Sequence, residues 1–301
     1  MTNNDALQRF VFGQVPIRGE FVHLQTSFQE ILQQHAYPEA LRKLLGEALS
    51  AAALLSAIIK FEGRVTVQFR GKGKLKLLIA QCKNDFQIRG LAKWDGNLSY
   101  DDLMHSFNDG ILSVMLNSTN GKQQSQGIVA WRGNSLAESL EGYFKESEQL
   151  DTKLWFAVND ISAAALLLQV LPSSDNKLTE IHQDILQSHW DRIVAHTITQ
   201  LKSPAVLLHL DYISLLQMLY PEEEVRIFPP SLVHFKCNCS RERSEAAISL
   251  LSREEAEDEL AKNQTLMVTC DFCNKEYSFD RVDVAKVFES NDKPPSDIYL
   301  H

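Results

Sequence analysis

The chain has 301 residues, enough for two or three domains with a substantial core. Hydrophobic residues make up 44% and charged residues 23%, an ordinary globular balance, and the net charge of −9 argues against broad binding to phosphate backbones. The amino terminus lacks the basic and apolar regions of a secretory signal, and no apolar run approaches a membrane span, so the sequence predicts a cytoplasmic protein.

The first half of the chain predicts an α+β domain. Residues 9–22 have an extended pattern, and apolar residues recur every three or four positions over 38–60, which predicts a long helix in the core. A hairpin is expected over 65–80, where Gly71-Lys72-Gly73 is typical of a turn and lacks the P-loop sequence. Further predicted elements are strands at 86–94, 112–116, 127–131 and 154–158 and a helix at 135–149.

A helical stretch is predicted after a surface connection at 173–177, which is a candidate domain boundary. Ser203-Pro204 is a typical start for a further helix, which must stop before Pro221, and Asp211 is a candidate second cap. One apolar face is expected on the first helix, formed by Ile181, Ile185, His189, Ile193, Val194, Ile198 and Leu201.

Four of the five cysteines lie near the carboxyl terminus in two close pairs. Cys237-Asn238-Cys239 is followed, after thirty residues, by Cys270-Asp271-Phe272-Cys273. The two pairs supply four thiolates for one tetrahedral Zn²⁺ site, and such a closed site is structural because it leaves no position for water or substrate. The fifth cysteine, Cys82, follows an apolar run and is expected to be a buried structural thiol.

Two interpretations of the cysteine cluster remain open at this level. Thiolate is the form that binds metal and also the form that attacks oxidants, so oxidation of the cluster would expel the metal. Alternatively, the site is a static zinc clip. In either case the surrounding module, a charged helical insert at 241–262 and a hairpin at 266–279 with the second pair at its turn, is too small to fold well without metal.

Two other function classes fit the sequence less well. A thiol oxidoreductase would place Cys270-Asp271-Phe272-Cys273 at the start of a helix after a strand, and the sequence shows no such pattern and no nucleotide-binding or Ser-His-Asp signature. A zinc ribbon that binds nucleic acid would be basic, whereas residues 231–301 carry nine Lys and Arg against fourteen Asp and Glu. The sequence therefore predicts a binding protein, not an enzyme, without nucleic-acid or membrane partners.

The motif Phe235-Lys236-Cys237-Asn238-Cys239-Ser240-Arg241-Glu242-Arg243, with the downstream Cys-x-x-Cys, resembles the 33 kDa heat-shock chaperone family of redox-regulated holdases in the bacterial cytosol. The resemblance covers nearly the whole chain. It includes Arg18-Gly19-Glu20, Leu44-Leu45-Gly46-Glu47, Lys60-Phe61-Glu62-Gly63, Tyr143-Phe144, Ser147-Glu148-Gln149-Leu150 and Glu222-Glu223-Glu224-Val225. One departure is the absence of an expected glycine pair in residues 160–165, which puts the local backbone geometry in question.

The resemblance implies an α+β core at 1–177 that binds clients, a helical linker at 178–230 and a redox-sensing zinc domain at 231–301. It implies that Cys237, Cys239, Cys270 and Cys273 bind one Zn²⁺ in the reduced form. On oxidation, the implied disulfides join Cys237 with Cys239 and Cys270 with Cys273. Zinc release then destabilises the linker, exposes apolar surface and favours homodimers that hold unfolding proteins without ATP under oxidative and heat stress.

Overall fold

The computed structural model describes residues 5–59, 62–108, 110–118, 124–133, 135–171 and 180–291. The chain divides after Lys236 into two compact units, and each contains both helices and strands. The predicted α+β fold is therefore confirmed. The predicted boundary at 173–177 lies outside the described residues, so the division into 1–177, 178–230 and 231–301 stays a prediction.

Two sheets form the framework of the first unit. Its strands are β1 (Ala6–Phe12), β2 (Ile17–Leu24), β3 (Gly63–Arg70), β4 (Leu75–Lys83), β5 (Gln87–Trp94), β6 (Ile111–Ser118), β7 (Gln124–Val129), β8 (Thr152–Val158), β9 (Ala163–Val170), β10 (Val225–Ile227), β11 (Ser231–Leu232) and β12 (His234–Phe235). The first sheet has the order β10-β1-β2-β9-β8, with β11 also paired to β1. The second sheet has the order β12-β5-β4-β3-β6-β7. The strands predicted from the sequence are all present.

The helices of the first unit are α1 (Thr26–Leu32), α2 (Glu39–Ile58), α3 (Tyr100–Asn108), α4 (Leu136–Tyr143), α5 (Glu180–Gln200) and α6 (Tyr212–Leu219). A π-helical turn, Phe144–Glu148, continues α4, and a 3-10 helix, Pro204–Leu208, lies between α5 and α6. Residues 180–220, which contain α5, the 3-10 helix and α6, are called the helical segment below.

Helix α2 is the centre of the main hydrophobic core, as its apolar pattern predicts. It packs against β2, β8 and β9 of the first sheet and against β3, β4 and β5 of the second. Leu41, Leu45 and Leu49 are fully buried. Gly46 brings the helix backbone close to the first sheet, since a Cβ atom there would lie 2.8 Å from a methyl group of Val158.

Strand β9 is buried on both faces because the first sheet has a core on each side. Ala163, Ala165 and Leu167 belong to the core that contains α2. The alternate residues Leu166 and Leu168 belong to a second core, which the helical segment closes. A strand covered on both faces is apolar at every position, which explains the continuous apolar run in this part of the sequence.

The turn before β9 explains how the chain does without the expected glycine pair. The Asn159 side-chain oxygen accepts hydrogen bonds from the backbone N–H groups of Ile161 at 2.9 Å and Ser162 at 2.8 Å. No residue of 160–165 has a positive φ angle. An asparagine-capped turn of this kind needs no left-handed residue, so glycine is not required here.

The buried face of α5 differs from the predicted one. Ile193, Val194 and Leu201 are buried as predicted, but Ile185 and Ile198 are 51% and 52% exposed. Trp190 and Thr197 are buried in their place. Trp190 supplies a larger apolar area than either isoleucine, and the Thr197 hydroxyl is satisfied by the Ile193 carbonyl at 2.7 Å and the Tyr220 hydroxyl at 2.9 Å. The predicted position of Ile181 lies outside the described side chains.

The predicted second helix cap at Asp211 is confirmed. The Asp211 carboxylate accepts hydrogen bonds from the backbone N–H groups of Ile213 and Ser214, which makes Asp211 the N-cap of α6. Helix α6 ends at Leu219, before Pro221.

Cys82 is fully buried in the main core, and burial raises the pKa of its thiol to about 12, as expected for a structural cysteine. None of the described helices combines the length and apolar character that crossing a bilayer requires.

Glu20 on β2 predicts a pH dependence of stability. Its side chain is 3% exposed, and burial raises the pKa of its carboxyl to about 8, against the opposing attraction of Arg18 and Arg9. An unfolded carboxyl ionises near 4.5, so between pH 4.5 and about 8 the native state holds a proton that the unfolded state has lost. The free energy of unfolding should therefore fall as pH rises through this window.

Urea unfolding at several pH values should show this fall in the wild type and a flatter profile in Glu20→Gln. Glu30→Gln, at an exposed position, is the control, and identical profiles for wild type and Glu20→Gln would contradict the assignment.

Candidate metal centre

The second unit consists of two short helices, a hairpin and a final helix. Its elements are α7 (Arg241–Ile248), α8 (Arg253–Asn263), β13 (Leu266–Thr269), β14 (Glu276–Phe279) and α9 (Arg281–Asn291). The predicted helical insert is present as two helices, with a break at 249–252 where Ser252 caps α8. The predicted hairpin is also present, with the second cysteine pair in its turn.

The first cysteine pair lies in extended chain just before α7. The Ser240 hydroxyl accepts a hydrogen bond from the Arg243 N–H and so begins the helix directly after Cys239. The Arg243 guanidinium donates to the Asn238 carbonyl at 2.5 Å, between the two cysteines. These contacts tie the Cys-x-Cys segment to the start of α7.

The second cysteine pair forms a tight turn between β13 and β14. The Cys270 carbonyl accepts hydrogen bonds from the N–H groups of Cys273 at 3.3 Å and Asn274 at 2.8 Å. Asn274 has a φ of 52°, a left-handed conformation that asparagine adopts more readily than most residues. The Cys270 N–H donates to the Lys275 carbonyl at 3.0 Å and closes the turn. Both thiols therefore point to the same side of the hairpin end.

The structure brings all four cysteines together. Their sulfur atoms lie within 4.8 Å of one another. The Cys237 and Cys270 sulfurs are 3.6 Å apart, and the Cys239 and Cys273 sulfurs are 3.4 Å apart. Four sulfurs bound tetrahedrally to zinc at about 2.3 Å would be roughly 3.8 Å apart, so a small shift of these side chains would accommodate the ion. Within the described part of the chain, no other group of three or more His, Cys, Asp or Glu ligands converges in this way.

The hydrogen bonds within the cluster affect its thiols differently. Burial opposes ionisation of Cys239, but hydrogen bonds from the Tyr277 hydroxyl, 3.3 Å away, and from the other cysteines lower the pKa of its thiol to about 7. Burial raises the pKa of the Cys270 and Cys273 thiols. Neighbouring thiolates repel one another, so the full set of four requires a compensating cation.

A small hydrophobic core supports the cluster. It contains Ile248, Ala256, Leu260, Leu266, Tyr277, Phe279 and Val284. The Arg241 guanidinium lies 4.3 Å from the centre of the Phe279 ring and donates to Asp283 at 2.6 Å, which ties α7 to α9. This core is small for an independent folding unit, so a metal crosslink would supply much of its stability.

Three features of this centre were not predicted from the sequence. Helix α9 was not predicted, although Asp280 is a recognisable N-cap whose side chain accepts from the Asp283 N–H at 2.8 Å. The contact of Tyr277 with Cys239 and the position of Arg241 over Phe279 have no local sequence signal, because each joins residues more than thirty positions apart.

Comparison with known proteins gives consistent matches over the full chain. A family model described as Hsp33 protein matches residues 5–280. A 33 kDa chaperonin of Nitrosococcus oceani is 41% identical over 297 residues, covering 98% of each chain. A 33 kDa chaperonin of Methylobacillus flagellatus is 39% identical over 304 residues, covering 100% of each. The crystal structure of a 33 kDa chaperonin (heat shock protein 33 homolog) of Thermotoga maritima superposes with a TM-score of 0.79 at 22% identity, covering 96% of this chain and 100% of that one, which shows a shared fold.

Removal of metal is expected to unfold the second unit selectively. Chelation takes away the crosslink, whereas the first unit has its own large core. Amide hydrogen exchange with residue resolution should show loss of protection in β13, β14 and α7, with protection retained in β3 and β4. Cys270→Ser should reproduce this pattern without chelator, and Cys82→Ser, outside the cluster, should not. Full protection of the second unit in the chelated protein would show that the metal is dispensable for folding.

Proposed function

The chain belongs to the Hsp33 family, and from this we propose that it is a redox-regulated, ATP-independent chaperone. It binds unfolding proteins and prevents their aggregation under oxidative and heat stress. Oxidation of four metal-binding cysteines to two disulfides activates it. The observation that carries the proposal is the convergence of four cysteine sulfurs in a unit whose own core is small.

In the reduced form, we assign Cys237, Cys239, Cys270 and Cys273 as the ligands of one Zn²⁺. Four soft sulfur donors at near-tetrahedral spacing favour this ion. The bound ion supplies charge compensation and a crosslink. The Tyr277 hydroxyl then donates a hydrogen bond to the Cys239 sulfur, an outer contact of the kind that strengthens metal sites.

Oxidation converts the four sulfurs into disulfides between Cys237 and Cys239 and between Cys270 and Cys273, the pairs implied by the family. Each disulfide forms when one thiolate attacks a peroxide oxygen and the resulting sulfenic acid reacts with the neighbouring thiol. Each bond transfers two electrons to one peroxide, which leaves as two waters or, for an organic peroxide, as water and an alcohol. The sulfurs in a disulfide no longer carry the charge that binds the metal, so the crosslink is lost.

The concealed surface lies on the first sheet. Phe10, Phe12, Phe21, Leu166 and Leu168 are buried on the sheet face that the helical segment covers, and this set is called the docking face below. From the helical segment the chain runs on through β10 and β12 to Cys237. We propose that unfolding of the second unit destabilises the helical segment, so that the docking face and the apolar face of α5 become available to clients. Concealment at rest is needed because large exposed apolar patches cause aggregation.

Clients are unfolded or partly unfolded proteins, and the oxidised form is a homodimer in the cytoplasm. A negative net charge does not favour nucleic acid as a partner. A disulfide-exchange enzyme is the alternative class; its Cys-x-x-Cys would be expected at a helix start, whereas here it lies in a hairpin turn.

The redox proposal predicts coupled changes in one sample. Reduced protein should contain one equivalent of zinc and should not suppress the aggregation of a heat-unfolded client. Peroxide at mildly elevated temperature should release the zinc as suppression appears, and a thiol reductant with added zinc should reverse both. Cys82→Ser should behave as wild type. Retention of zinc with unchanged activity after peroxide would instead indicate a static structural site.

The coverage of the docking face predicts that undocking alone activates the protein. Ile193 is 1% exposed against this face, whereas Ile198 on the same helix is 52% exposed. Ile193→Ala should weaken docking by about 2–5 kcal/mol, as core truncations do. It should raise hydrophobic-dye binding and client holding without oxidant, while zinc stays bound. Ile198→Ala, the same change at the exposed position, should match wild type; equal behaviour of the two variants would refute a role for this interface.

A further inference from the structure

A cavity of about 130 Å³ lies where one end of the docking face meets the helical segment. Its sheet side includes Ala6 and Gln8 of β1 and Phe21 and His23 of β2, and its other side is formed by residues 208–212, between the 3-10 helix and α6. An apolar cavity of about 150 Å³ is enough to hold benzene. The volume therefore suits a single small ring.

Gln8 supplies an unpaired acceptor to the wall of this cavity. The residue is 1% exposed, and its side-chain Nε2 donates to the Arg9 carbonyl at 2.9 Å and to the Phe228 carbonyl. These two bonds fix the orientation of the amide, because the opposite orientation would set its oxygen against two carbonyl oxygens. Its Oε1 atom is then a buried acceptor without a donor, which is an unfavourable state.

His23 supplies a second unpaired acceptor on the same face of the sheet, two residues after Phe21. Burial lowers the pKa of its ring, and a hydrogen bond with the Leu208 carbonyl and the charge of Asp5 oppose this effect only in part, so the ring is neutral at pH 7. A neutral imidazole has one N–H group, and the bond to the carbonyl requires it. Because Nδ1 is buried and has no partner, we assign the N–H to Nε2 and the free acceptor to Nδ1.

The other walls of the cavity are mostly aromatic and aliphatic. Phe21 is buried in the docking face, and Leu208, Leu210 and Tyr212 are partly buried against the same core. Neighbouring aromatic rings favour a ligand ring in edge-to-face or offset contact. The unpaired acceptors require a ligand that donates, and the exposed Asp211 carboxylate at the rim disfavours an anion. These features together select a small aromatic compound with a hydroxyl or amine group.

We propose that this cavity is a binding site for a small aromatic ligand that carries one hydrogen-bond donor and no negative charge. Both acceptors are shielded from water, so the ligand would reach them with a small movement of the two side chains. The two sides of the cavity meet only when the helical segment is docked. The ligand would therefore bind the docked form in preference and oppose its opening. Binding itself does not depend on the proposed chaperone function, whereas an effect on activation rests on it.

Phenol and toluene are suitable probes, because they have nearly the same shape and only phenol has a donor. Binding to reduced, zinc-loaded, full-length protein is measured by titration of the backbone amide resonances. Phenol should shift resonances of β1, β2 and residues 208–212 with a Kd on the order of 1 mM, as expected for so few heavy atoms. It should bind at least about threefold more tightly than toluene, in line with one net hydrogen bond.

Variants of the cavity wall locate the bound phenol. Ala6→Leu places a larger side chain in the cavity and should weaken phenol binding at least about tenfold. Ala205→Leu makes the same change at an exposed position outside the cavity and should leave the affinity within about twofold of wild type. His23→Phe keeps a ring but removes an acceptor, and it should weaken phenol binding about threefold with little effect on toluene. The amide spectra also report whether each variant is folded.

Hydrogen exchange measures the effect of the ligand on docking. Phenol at about five times its Kd should slow amide exchange in α6 about sixfold in wild type, because binding to the docked form alone reduces the open population by that factor. The same phenol concentration should leave exchange in Ala6→Leu unchanged. If the proposed function holds, phenol should also delay the appearance of client holding after peroxide in wild type and not in Ala6→Leu.

Three results would overturn the proposal. Equal affinities for phenol and toluene, or unchanged phenol binding in Ala6→Leu, would exclude this cavity as the site. Absence of any shift at phenol concentrations far above 1 mM would show that the cavity holds only water. Binding of phenol without slower exchange in α6 would show that the ligand does not favour docking. Failure of the redox switch in ligand-free protein would refute the proposed function and leave phenol binding intact, so the two failures are told apart.

Discussion

The four-sulfur cluster is the constraint on which the second unit depends. Ordering a residue costs about 1–2 kcal/mol of backbone entropy, and the core of this unit has only a few buried side chains to offset it. The proposed metal crosslink between the chain before α7 and the hairpin turn would compensate by joining segments that are distant in sequence. Thiols without a metal would not supply this crosslink. Burial raises the pKa of Cys270 and Cys273, which favours the protonated form that does not bind metal. Under the proposed function, the stability of this unit would therefore depend on the chemical state of its sulfurs.

Much of the fold could be predicted from the sequence because its signals are local. The period of α2, the cap at Asp211 and the spacing of the two cysteine pairs each lie within a few turns or a short motif. The buried side of α5 could not be predicted in the same way, since both Ile198 and Thr197 suit a helix and only the partner surface with Tyr220 selects Thr197. Tyr277 beside Cys239 depends on how the hairpin meets the Cys-x-Cys segment. Contacts of this kind come from tertiary packing and leave no pattern in the sequence.

The two sheets of the first unit solve different problems with the same side-chain alternation. The first sheet is apolar on both faces and needs α2 on one side and the helical segment on the other. The second sheet is apolar toward α2, and its other face mixes cations such as Arg64 and Arg70 with aliphatic residues such as Ile79 and Ile128. The face of the first sheet that the helical segment covers is therefore the concealed apolar surface of this unit.

The surroundings of strand β9 bear on how the proposed open form would close again. It is hydrogen-bonded to β2 and β8 on its two edges, and α2 covers one of its faces whether or not the helical segment is docked. In the proposed open form the sheet would therefore keep its shape, because most of its contacts are elsewhere. Return of the helical segment in this proposal would be docking onto a preformed sheet, which avoids rebuilding long-range strand pairs, the slow part of β-rich folding. Closure should accordingly be fast compared with reduction of the disulfides, so that the lifetime of the open state is set by redox chemistry.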